Sequence, residues 1–142
     1  MSLDELIDAY WEQWRLRTSR ERTDRLHADD VFWAYEVVEA FIRNRPIEAW
    51  YYTPERTPDL GGVDRLDFIV RLLERAPDSD DAMAYAGAGP VESYIQVWRD
   101  VDRVEAMAQT NARFRTALRC ALYDRYVSPE DAARLRRLGD PL

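Results

Sequence analysis

Apolar side chains recur every three or four positions along nearly the whole chain. No stretch shows the period of two that a half-buried strand requires. Proline and glycine cut this helical pattern into short lengths, at Pro46, Pro54, Pro58, Gly61, Gly62, Pro77, Gly87, Gly89, Pro90 and Pro129. A proline removes a backbone donor and a glycine frees φ, so each marks a place where a helix starts, stops or kinks. Such punctuation predicts an all-α fold: a compact irregular array of short antiparallel helices, like a helical-hairpin superhelix, with no β-sheet. A four-helix bundle would want fewer and longer helices.

Ser2 followed by Glu5 forms a capping box, and Leu3, Leu6, Ile7, Tyr10 and Trp14 then line one face of a helix reaching about Arg17. Residues 18–28 are polar and Arg-rich, and their state is open. Asp29 or Asp30 caps a second helix with Val31, Tyr35, Val38 and Ile42 as its stripe, ending near Asn44. A short helix through Ile47, Trp50 and Tyr51 follows Pro46, and residues 53–62 form a Pro/Gly loop. The clearest stripe is Val63, Leu66, Ile69, Val70, Leu73 and Ala76, stopped by Pro77. A short helix through Met83 and Tyr85 should end on a left-handed Gly87, and Pro90 should open the next, through Val91, Tyr94, Ile95 and Trp98. Helices over residues 100–109, 111–126 and 129–138 complete the series. Leu66, Ile69, Val70, Leu73, Phe114, Leu118 and Leu122 are expected in one core.

A chain of 142 residues with 46% apolar side chains can build a core without metal or disulfide staples, and we expect a single domain over 1–142. One cysteine, Cys120, leaves no internal disulfide and no Cys-based zinc site, and one histidine, His27, leaves no multi-histidine centre. No apolar run approaches the roughly 18 residues of a membrane span. The opening Met1-Ser2-Leu3-Asp4-Glu5 is acidic where a secretory signal is basic, so a cytoplasmic chain is expected. The net charge is −7, and all 20 basic residues are arginine. Charge is uneven: −1 over residues 1–25, −9 over 26–110 and +3 over 111–142. An acidic middle repels nucleic acid and anionic membranes and favours a basic partner.

Residues 87–92, Gly-Ala-Gly-Pro-Val-Glu, form a compact motif between two expected helices. With Trp11 and Trp14, Trp33-Ala34-Tyr35-Glu36, Pro46-Ile47-Glu48-Ala49-Trp50 and Arg113-Phe114-Arg115-Thr116-Ala117-Leu118, it resembles an uncharacterised bacterial family. That family is a domain of unknown function with a Gly-Ala-Gly-Pro-hydrophobic-Glu motif between helices. The resemblance spans most of residues 3–138 and departs from the family in residues 53–62. It implies a helical fold and a bacterial source, and no activity.

Each chemical candidate has a bland counterpart. Glu92 is read first as a carboxylate capping its own helix, with Gly87 or Gly89 at positive φ and Pro90 as the first helical residue. Its alternative is a functional acid in a groove. His27 lacks a partner and reads as a surface side chain; Cys120 reads as a half-buried inert thiol. Asp78, Asp80 and Asp81 lack the rest of a calcium loop and read as a helix cap. Arginines cluster at Arg15, Arg17, Arg20, Arg22 and Arg25, and at Arg113, Arg115, Arg119, Arg134, Arg136 and Arg137. Such groups can bind an acidic partner or phosphate, but with 27 acids available they read as solvated faces.

Aromatics make up 12% of the chain. Trp33, Trp50, Tyr51 and Tyr52 stand near Asp29, Asp30 and Glu48, a composition suited to an interface. These residues lead us to expect a non-enzymatic protein-binding module, such as a bacterial immunity or inhibitor protein that takes a basic partner on an acidic, aromatic-rich face. A homo-oligomeric scaffold is the alternative, and a carboxylate-dependent enzyme using Glu92 comes third. No cofactor is expected.

Overall fold

The computed structural model describes residues 1–46 and 58–139. These residues are helical nearly throughout, and no strand occurs among them, as the periodicity predicts. The chain divides into two compact units, Met1–Val63 and Asp64–Leu142. The division falls at the end of the expected Pro/Gly loop. Residues 53–57 of that loop lie outside the described residues, and 58–62 form a turn with Gly62 at φ 76°.

In Met1–Val63, α1 (Leu3–Thr18) starts on the expected capping box: the Glu5 amide donates to Ser2 Oγ at 3.1 Å, and the Ser2 amide to Glu5 Oε1 at 3.3 Å. The open segment holds α2 (Arg22–His27), which buries no residue. A 3-10 turn (Ala28–Val31) joins it to α3 (Phe32–Arg43). Asn44 ends α3 in the left-handed region (φ 55°), where an Asn is tolerated, and the Arg45 amide closes back on Ala40 O at 2.8 Å. α1 packs on α3, burying Leu6, Ile7, Tyr10, Trp11, Leu16, Trp33, Ala34, Val37, Val38, Phe41 and Ile42. Aromatics dominate this contact. Tyr10 stacks on Tyr35 (6.3 Å between centroids) and meets Trp11 edge-on (5.1 Å), while Phe32 stacks on Tyr35 at 5.3 Å with Arg17 over its face at 4.8 Å.

In Asp64–Leu142 the helices are α4 (Arg65–Glu74), α5 (Asp80–Ala86), α6 (Glu92–Trp98), α7 (Val101–Thr110), α8 (Ala112–Leu118) and α9 (Pro129–Gly139). Side chains of Asp64, Ser79 and Asn111 cap α4, α5 and α8 by accepting the amides of Asp67, Ala82 and Phe114. The central element is α8, which packs against α4, α5, α7, α9 and the segment between α5 and α6. Leu66, Ile69, Leu73, Phe114 and Leu118 are fully buried there.

Two expected core members differ. Val70 is half-buried, at the edge of the α4 stripe. Leu122 is 76% exposed because α8 stops at Leu118 instead of running to Tyr126. The last turn tightens, with Cys120 and Ala121 amides bonding to Ala117 and Leu118 carbonyls, and the Leu122 amide leaves the helical ladder altogether.

Candidate functional site

The motif at residues 87–92 is a packing device. Neither glycine adopts positive φ: Gly87 is right-handed helical (φ −65°), and Gly89 sits at φ −102°, ψ −106°. Helix therefore does not end at Gly87. It passes through a π-helical segment (Gly87–Val91) in which Pro90 is interior, followed directly by α6. Two losses explain this geometry. Pro90 has no amide to give the ladder, and its ring crowds the carbonyl one turn back, so the backbone widens and kinks at Gly89.

Gly87 faces α8 at contact distance. A Cβ built there would lie 2.0 Å from the Ala117 carbonyl oxygen and 2.9 Å from Cys120 Cβ. Glu92 does not cap its own helix either. Its Oε1 accepts the Leu122 amide at 2.5 Å, thirty residues along the chain. That bond takes the very amide that would have extended α8. The half-buried Cys120 backs the Gly87 contact. Glycine and glutamate of the motif thus both act on α8 and its exit turn.

Most arginines of the two sequence clusters are committed. Arg15 binds Glu12 (2.7 Å) and lies 3.7 Å from Asp24; Arg25 donates to the carbonyls of Ser19 and Arg20. Arg113 covers the end of α4 through Leu73 O and Ala76 O, and Arg115 reaches Ala108 O. Arg134 gathers Asp102, Glu105 and Asp131, and Arg136 holds Asp124. Ser79 with Asp80 and Asp81 begins α5, and among the described residues no group of three or more His, Cys, Asp or Glu could hold a metal ion.

A second network was not legible in the sequence. The Asp64 carboxylate caps α4 and also takes both arms of Arg103, at 2.9 and 3.1 Å. Those hydrogen bonds hold Asp64 below the usual carboxylate range. Beside it Tyr94 donates its hydroxyl to Asp100 at 2.9 Å. Burial, then the Asp100 hydrogen bond and charge, push the phenol up to about 12. Arg65 lies over the Trp98 ring at 4.8 Å. Residues 39 apart in sequence meet here, which no local spacing announces.

The expected interface residues are only partly brought to a surface. Asp29 and Asp30 are exposed, with His27 Nδ1 3.2 Å from Asp30 Oδ2. Trp33, one of the expected interface residues, is 8% exposed and belongs to the core of its unit, because it falls on the face of α3 that meets α1. Glu48, Trp50, Tyr51 and Tyr52 lie outside the described residues. What the sequence reading missed is Leu26, 68% exposed on α2 in the segment left open. No family model, curated protein or solved structure matches the chain.

Proposed function

We propose that the chain is a protein-binding module that takes a basic partner on the acidic unit Met1–Val63. The observation that carries the reading is α2, a helix that buries no side chain of its own, presents Leu26 to solvent and runs into exposed Asp29 and Asp30. An apolar side chain followed by two exposed carboxylates offers a partner both area and charge. Charge supports the same surface, since Met1–Val63 holds thirteen acids against eight arginines, most of the chain's net −7. An immunity or inhibitor protein that neutralises a basic toxin or enzyme fits this description, and the motif's resemblance points to a bacterial source. Among the described residues no helix is long and apolar enough to cross a membrane.

The test is a crosslinked capture of the partner from the source cell, followed by association kinetics with L26A and with D29N/D30N. L26A should speed dissociation, and D29N/D30N should slow association. A partner indifferent to both changes overturns the reading.

A homo-oligomeric scaffold is the second reading, favoured by the exposed Leu122, Val97 and Trp98 of Asp64–Leu142. Light scattering decides it: a monomeric mass at micromolar concentration retires the scaffold.

A further inference from the structure

In Asp64–Leu142 a cleft of about 300 Å³ opens between the end of α6 and the turn that leads into α9. Arg99 and Arg125 line it, together with Tyr126 and Ser128. Several arginines of this unit are engaged: Arg103, Arg134 and Arg136 bind carboxylates, Arg113 and Arg115 bind carbonyls, and Arg65 covers Trp98. The Arg99 and Arg125 side chains make no ion pair or hydrogen bond among the described residues. Two like-charged side chains lining one cleft favour an anion between them.

Asp131 also lines the cleft, with its carboxylate 3.0 Å from Arg134, which it shares with Asp102 and Glu105. Two details favour a ligand here. Ser128 Oγ accepts the Asp131 amide at 3.1 Å, which leaves the hydroxyl proton for a ligand. Arg99 ends α6 in the left-handed region (φ 51°, ψ 32°), a position where Gly or Asn is less strained, as Asn44 is at the end of α3. An arginine there accepts backbone strain at a residue that lines the cleft.

We infer that this cleft is a phosphoryl-binding site. Two planar donor forks and two hydroxyls match the oxygens of a phosphate group, while Val101 and Val127 offer an apolar wall for an attached body. A carboxylate has fewer oxygens and a single charge, and so fills the donor set less well.

The experiment is calorimetric titration of the full chain with phenyl phosphate, inorganic phosphate and benzoate at low salt. Phenyl phosphate should bind, and R99Q and R125Q should each weaken it by about tenfold or more, the loss of one charge-assisted contact. R99G should weaken binding equally while leaving thermal stability unchanged or raised, which separates loss of the guanidinium from loss of the fold. Equal affinity for inorganic phosphate names free phosphate as the ligand; tighter binding of phenyl phosphate names an ester. Three results overturn the site: no binding of either phosphate at concentrations on the order of 10 mM, binding unchanged in the R99Q/R125Q double variant, or benzoate binding as tightly as phenyl phosphate.

Discussion

Gly87 lies where a hydrogen is the largest substituent the neighbouring chain admits. Gly87→Ala forces α8 or the π-helical segment to move, because the obstructing atom is a backbone carbonyl oxygen. We expect a loss of about 1–3 kcal/mol in urea unfolding. Gly62→Ala has open space and only its positive φ against it, so about 1 kcal/mol is expected there. If Gly87→Ala proves as mild as Gly62→Ala, the close approach is not as described. Glu92 gives a second contrast. Glu92→Gln keeps an oxygen that accepts the Leu122 amide, whereas Glu92→Ala removes it. The alanine variant should lose about 1–2 kcal/mol and the glutamine variant less than half of that. Equal effects of the two would return Glu92 to a general electrostatic role. Such partners were invisible in the sequence: glycine, proline and glutamate at this spacing read equally well as a helix start, and the deciding atoms belong to residues 117–122.

At the scale of elements, the interior of Asp64–Leu142 turns on α8. Leu118→Ala should cost about 2–5 kcal/mol, since its side chain is fully buried where α8 meets its neighbours. Hydrogen exchange then checks that α4 and α8 amides lose protection together. The Tyr94–Asp100 and Asp64–Arg103 pairs contribute to the pH dependence of the same unit. Tyr94 has its folded pKa raised to about 12, so its contribution is complete below the unfolded value of about 10 and disappears as pH rises through 12. Phenolate absorbance should lose a late-ionising step in Tyr94→Phe. Asp64 is depressed by Arg103, so its contribution is present above about pH 4 and fades as pH falls through the lowered value. Asp64→Asn should therefore flatten the acid limb of stability and leave the alkaline limb unchanged. Helix starts at Ser2, Ser79 and Asn111 were open to sequence reading because a cap needs only residues within one turn. Helix ends were harder: Leu122 has a helical spacing from Leu118, yet its amide is claimed by Glu92.

For the whole molecule, charge is divided as the two units divide, with Met1–Val63 strongly acidic and Arg99 and Arg125 lining a cleft in Asp64–Leu142. Association with a basic partner should slow steeply as salt rises from about 0.05 to 0.5 M, because the screening length falls from roughly 14 to 4 Å. An on-rate indifferent to salt, or docking within residues 111–142, would falsify the assignment to the acidic unit. The amino-acid sequence by itself determined the helical class, the absence of any strand pattern, most helix starts and the apolar stripes, because these follow from period, punctuation and caps acting over a few residues. Tertiary structure alone decided which stripe members stay dry, as with Leu118 against Leu122, and that Trp33 is core and not surface. It also decided that Arg103 meets Asp64 and that Arg99 and Arg125 share a cleft. Those outcomes depend on contacts between residues tens of positions apart, where packing and long-range hydrogen bonds override any preference a local spacing expresses.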